Sequence, residues 1–142
     1  MIILDTDHLS VLQRRDASGH RRLVAAMEHS DDPHFATSVI SLEEQTRGWL
    51  AAISRAKGNV SDEVKYYTGL VGLIEFYSRW DIVAFDADAA DRFASSKALR
   101  IRLGTMDLKI AAVTLALGGL LLSANLRDFQ QVPGLRVENW LG

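Results

Sequence analysis

Short strand-like stretches recur along this chain, and each is followed by a longer stretch with helical spacing. Ile2–Leu4 and residues 34–38, 82–85 and 120–123 read as strands, with Arg136–Glu138 as a short fifth. Helices are expected over residues 7–15, 21–29, 42–56 and 61–79, from Asp86 as N-cap to about Leu99, and over Thr105–Leu117. Strands that alternate with helices imply right-handed crossovers, so the expected fold is a parallel sheet with helices on both faces. In such sheets, ligands bind in the crevice beyond the carboxyl ends of the strands.

The helix over 42–56 carries Leu42, Thr46, Trp49, Leu50 and Ile53 on one face, and the breaker Lys57-Gly58-Asn59 follows it. The next helix repeats Val64, Tyr67, Leu70, Val71, Ile74 and Tyr77 at three- and four-residue steps, so the two are expected to pair antiparallel. Thr105–Leu117 is apolar nearly all round and should be central. No linker or repeat interrupts the 142 residues, which read as a single domain, 1–142.

Several functional classes drop out on composition. The absence of cysteine excludes disulfides, thiolate zinc sites and cysteine nucleophiles. The opening residues lack a basic leader, and the longest apolar run, 110–122, is too short to span a bilayer. A soluble cytoplasmic protein, with no membrane partner, is expected. A net charge of −2 advertises no overall basic field for nucleic acid, although a catalytic site needs only a local basic rim.

The carboxylates carry the chemistry. Asp5 stands where the apolar run Met1-Ile2-Ile3-Leu4 stops, and Asp107 stands on the most apolar helix. Charge in such places is costly to fold, and the usual compensation is a cation. Glu44 after the second strand, and Asn125 and Asp128 after the fourth, would complete an oxygen-rich site. Hard oxygen donors suit Mg²⁺ or Mn²⁺ better than a soft metal, so the expectation is a metal-dependent nuclease.

Each acid also has an ordinary structural reading. Ser41-Leu42-Glu43-Glu44 has capping-box spacing, with Ser41 as N-cap and Glu44 reaching back to it. On position alone, either role stands for Glu44. Asp107 resists that treatment, because Ile110, Ala111, Thr114 and Gly118 put it on a small, apolar stripe. Asp5 caps a helix or serves a site, and its apolar strand favours the site. Asp7 either supports the site from behind or caps the helix, with the cap favoured; Asp86, Asp88 and Asp91 read as a solvated helix start; and His8 either touches substrate or is an ordinary histidine, with the latter favoured. Arg14, Arg15, Arg21, Arg22, Lys97, Arg100, Arg102 and Arg127 are scattered, and some could meet on one rim that contacts phosphates.

Four segments stand in order across essentially the whole chain: Leu4-Asp5-Thr6-Asp7-His8-Leu9-Ser10, Glu44-Gln45-Thr46-Arg47-Gly48-Trp49, Gly104-Thr105-Met106-Asp107-Leu108-Lys109-Ile110-Ala111-Ala112 and Asn125-Leu126-Arg127-Asp128-Phe129. Together they resemble a PIN domain, and more narrowly a VapC-type toxin of a toxin–antitoxin pair. The resemblance implies a three-layer α/β fold with a central, mostly parallel sheet of four to five strands. It implies that Asp5, Glu44 and Asp107 are acidic ligands of Mg²⁺ or Mn²⁺, and it prefers Glu44 over Glu43 by the spacing to Gly48. The fourth position falls on Asn125, with Asp128 as auxiliary and Thr105 as support. RNA phosphodiester hydrolysis, a homodimer and a small cognate antitoxin are implied as well. Trp49, Tyr66, Tyr67, Phe76, Tyr77 and Trp80 are candidate contact surface or core, and Arg14 and Arg15 candidates for protein or RNA contact. Ser123-Ala124 stands where the family tends to have Thr-Arg, so one phosphate contact is expected to be missing. The alternatives are a catalytically inactive PIN-like binding or assembly module, and a metal-dependent hydrolase of DNA.

Overall fold

A computed structural model describes residues Met1–Gly142. Five strands form one sheet: β1 (Ile2–Leu4), β2 (Phe35–Ser38), β3 (Asp81–Val83), β4 (Leu120–Leu122) and β5 (Arg136–Glu138). Their order is β3-β2-β1-β4-β5, and every neighbouring pair is parallel. The connections hold α1 (Thr6–Gln13), α2 (His20–Glu28), α3 (Val39–Arg55), α4 (Val60–Tyr77), α5 (Ala87–Ala98), α6 (Thr105–Leu117) and α7 (Leu126–Phe129). The α/β class and the helix-covered parallel sheet read from the sequence are therefore what the chain forms.

β1 explains the layering. It is the central strand and apolar throughout, because both its faces are covered. Ile3 packs with Leu121, Ile110, Ala111 and Phe129 on one side. Ile2 and Leu4 pack with Leu9, Leu73, Tyr77 and Leu122 on the other. α6 is buried along most of its length and ends at Gly118, whose φ of 62° is the left-handed conformation that glycine adopts without penalty.

α3 and α4 form the expected pair, joined by the turn around Gly58. Trp49 stands against Tyr66, with ring centroids 6.4 Å apart, and its six-membered ring lies directly on Gly69. A Cβ at Gly69 would fall 2.3 Å from that ring, so only glycine permits the approach. The α4 repeat divides differently from the sequence expectation. Leu73 and Tyr77 are buried, whereas Val64, Tyr67, Val71 and Ile74, joined by Val60, are exposed. Of the six aromatic residues singled out above, Tyr67 alone is exposed, while Tyr77 is core.

No helix is long and apolar enough to cross a membrane.

Candidate active site

Parallel register brings the strand ends level. Leu4 pairs with Thr37 on one side and Leu122 on the other, so the residues after β1 and β4, Asp5 and Ser123, become neighbours. Ser123 Oγ donates to Asp5 Oδ2 at 2.8 Å and accepts the Asn125 backbone N–H at 3.0 Å. Asp5 is 7% exposed, and its Oδ1 accepts the Thr6 N–H at 2.7 Å. It is thus both the N-cap of α1 and a group of the crevice, so the two sequence readings coincide.

The capping-box reading of Glu44 does not hold. α3 starts earlier than expected, its N-cap is Ser38, and Ser38 Oγ accepts the Ser41 N–H at 3.2 Å. Ser41 is buried inside the first turn and accepts from Thr6 Oγ1 at 3.1 Å. Glu44 is therefore beyond the capping positions. Glu43 pairs with Arg47 at 2.6 Å, while Glu44 Oε1 is buried without any hydrogen-bond partner. Leaving a buried acceptor unpaired costs about 1–3 kcal/mol, which marks Glu44 as the acid with a vacancy to fill.

The electrostatics tie these groups together. Burial, then the charges of Asp7 and Asp107, push Asp5 up to about 7 against the bonds from Ser123 and Thr6. Burial, followed by the charge of Asp107, raises Glu44. Asp107 is raised by burial, then by Asp128 and Asp7. Residues from α1, α3, α6 and α7 thus share one field although they are far apart in sequence.

Asp7 is not the simple cap the sequence suggested. Its Oδ2 accepts the Ala124 N–H at 2.8 Å and lies 3.3 Å from Ser123 Oγ. Its Oδ1 accepts from His8 Nδ1 at 2.7 Å. Burial works against the ionised form, but these bonds outweigh it and hold the Asp7 carboxyl below the usual range. His8 is fully buried, and its Nε2 accepts the Trp140 N–H at 3.2 Å, which leaves the ring proton on Nδ1. The last turn of chain is thereby tied to the crevice through His8 and Asp7. Ser123, Asp7 and His8 escaped the sequence reading as a unit. The signal that would have found Ser123 is its place directly after an apolar strand, the counterpart of Asp5.

Thr105 is exposed at the start of α6 and makes no hydrogen bond to the carboxylates. Asn125 is the N-cap of α7, and its side chain makes no capping bond. Asp128, in the same helix, acts on Asp107 through its charge. No three His, Asp or Glu side chains are arranged to hold an ion as they stand. The shared field and the unpaired Glu44 oxygen nevertheless fit a hard cation, which takes oxygen donors of this kind.

The fold, a five-stranded parallel sheet flanked by helices, is that of the VapC-type PIN domains. In solved structures it is shared with VapBC-1 from nontypeable Haemophilus influenzae, with a TM-score of 0.73, 20% identity and 100% of each chain covered. In sequence the chain is similar to the tRNA(fMet)-specific endonuclease VapC of Salmonella typhimurium, 33% identical over 69 residues, 46% of this chain and 52% of the relative. It is also similar to Ribonuclease VapC2 of Haemophilus influenzae, 34% identical over 86 residues, 57% of this chain and 65% of the relative. The matches thus span between about half and two thirds of these curated relatives. No family model matches the chain.

Proposed function

We propose that this chain is a metal-dependent endoribonuclease, the toxin of a toxin–antitoxin pair, that acts in the cytoplasm as a homodimer restrained by a small cognate antitoxin. The observation that carries the reading is the repulsive crevice itself. Asp5, Glu44 and Asp107 are raised by burial and by neighbouring acids, and Glu44 Oε1 has no partner. Structural carboxylates are commonly placed in ion pairs, and none of these three is in one. The names of the curated relatives support RNA as substrate, and likeness to a VapBC structure supports an antitoxin.

Asp5, Glu44, Asp107 and Asn125 would hold Mg²⁺ or Mn²⁺, with Asp128 beside them. When bound, such an ion supplies Lewis acidity towards water and towards the phosphate oxygens. The chain's own residues set the donors. Ser123 orients Asp5 and fixes the Asn125 backbone, and Asp7 locks the β4–α7 loop through the Ala124 N–H. Asp5 holds a proton close to neutrality, so cation uptake and proton release are linked, and affinity rises with pH. The exposed apolar stripe of α4, Val60, Val64, Tyr67, Val71 and Ile74, offers a surface that a two-fold copy of itself would cover.

The test is cleavage of total cellular RNA by purified protein with Mg²⁺ or Mn²⁺ and with EDTA, beside Asp107→Asn. Discrete fragments that need both metal and Asp107 are expected. Metal-independent cleavage, or an active Asp107→Asn, would overturn the reading. A folded, metal-loaded, inhibitor-free protein that cuts nothing would be a binding module, and one that cuts only DNA would be a different hydrolase.

A further inference from the structure

We propose that the groove between the end of α1 and the helices α3 and α4 is a tracking site for single-stranded RNA, leading to the acidic crevice. This rests on the ribonuclease reading and adds the path of the strand. The groove holds about 430 Å³, and Arg14, Trp49, Phe76 and Arg79 are among its lining residues, with Glu75 its one acid. Arg14 and Arg79 are exposed and form no ion pair, whereas Arg47 and Arg92 are paired to acids on their own helices. Trp49 also lines the adjoining hollow beside Gln45, so its ring stands between the two. Its indole N–H makes no hydrogen bond within the chain, and Gly69 holds the ring in place by offering no Cβ.

Two free guanidinium groups beside a fixed aromatic plate match a phosphodiester strand, with phosphates on the cations and a base on the ring. Acidic peptides would use the cations but have no need of the plate. Polar contacts run from the groove to Gln45, which follows Glu44 in α3. Gln45 binds Gln13 and Ser10 and accepts from Tyr77 Oη at 2.7 Å. Tyr77 is in turn raised by burial and then by the charge of Glu44. A second basic hollow, at the α1–α2 turn, is lined by Arg15, Arg21 and Arg22. None of these three arginines is in an ion pair either.

The experiment is fluorescence anisotropy of a labelled oligouridylate of about a dozen nucleotides, in EDTA so that no cleavage intervenes. Arg14→Gln and Arg79→Gln should each weaken binding and lower the slope of log affinity against log salt by about 0.7. Trp49→Leu should weaken binding about tenfold or more with no change of that slope. Arg55→Gln, on the exposed end of α3, should bind like the unaltered protein. Circular dichroism and melting establish that each variant is folded, and the two arginine variants keep the result readable if Trp49→Leu is not. Unchanged affinity and slope in both arginine variants would overturn the groove, even with cleavage intact. So would arginine variants that keep RNA affinity but lose binding to a labelled oligoglutamate, which would make the groove a protein site. If the unaltered protein neither binds nor cuts RNA, the ribonuclease reading itself falls.

Discussion

The acidic crevice and the outer face of α4 break the usual distribution of polarity in opposite directions. In the crevice, Asp5 is 7% exposed and the Glu44 Oε1 is buried and unpaired, so charge stands where water is excluded. On α4, Val60, Val64, Val71 and Ile74 are 70%, 62%, 55% and 60% exposed, so apolar surface stands where water is plentiful. The same helix buries Leu73 and Tyr77 on its other side, so the exposed stripe is a second face and not a failure of packing. A proton or a small cation relieves the first region, whereas only another apolar surface relieves the second. Each region gives up stability within the chain for a contact outside it, and the partner differs in kind.

The largest effect expected concerns the crevice. Asp107→Asn should lower metal-dependent RNA cleavage by more than about 10²-fold, measured by initial rates on one RNA. Its melting temperature without metal should stay the same or rise, since the change removes a carboxylate that burial and then Asp128 disfavour. A variant that loses activity and stability together would make Asp107 a structural residue.

The next effect is on stability and pH. Asp5 titrates at about 7 in the folded chain against 3.8 as a free side chain, so the folded state binds more protons between those values. Its contribution is present in full below 3.8 and is lost as pH rises through about 7. At about 1.4 kcal/mol per unit, the loss is about 4 kcal/mol at most. Urea denaturation in EDTA should show stability falling from pH 5 to pH 8, and Asp5→Asn should flatten that slope. Mg²⁺ or Mn²⁺ should restore stability at the upper end, because a cation replaces the proton.

Ser123→Ala comes third. It removes the hydroxyl that orients Asp5 and the Asn125 N–H. Stability should fall by about 1–2 kcal/mol and metal affinity by about tenfold, by calorimetric titration. Unchanged metal affinity would mean that Asp5 needs no such support.

These effects separate what the sequence disclosed from what it concealed. The fold was legible because each strand is a short run with turn chemistry after it, and because Asp86 caps α5 as its position suggested. Asp5 and Asp107 were legible because charge on an apolar element has few ordinary explanations. Glu44 was ambiguous because its role depended on where α3 begins, and a start at Val39 instead of Leu42 changes it from a capping residue to a free acid. The Ser123–Asp7–His8 chain was hidden because it depends on strand register, which pairs positions more than a hundred residues apart. The outer stripe of α4 misled for a related reason: helical spacing tells which residues share a face, but not whether anything in the chain covers it.

The smallest effect tests that stripe. Val64→Ser and Val71→Ser lie on the exposed face, where a substitution shifts monomer stability by only about 0.5 kcal/mol either way. Leu73→Ala, on the opposite side of the same helix, leaves a cavity and should cost about 2–5 kcal/mol. If a second copy covers the stripe, the serine variants behave differently as concentration rises. The unaltered protein should melt higher at high concentration, because association stabilises the folded state by mass action, and the variants should lose that dependence. Sedimentation velocity should then show the variants dissociating at concentrations where the unaltered chain remains a dimer. Equal dissociation would assign the dimer contact elsewhere and leave the α4 face to a different partner.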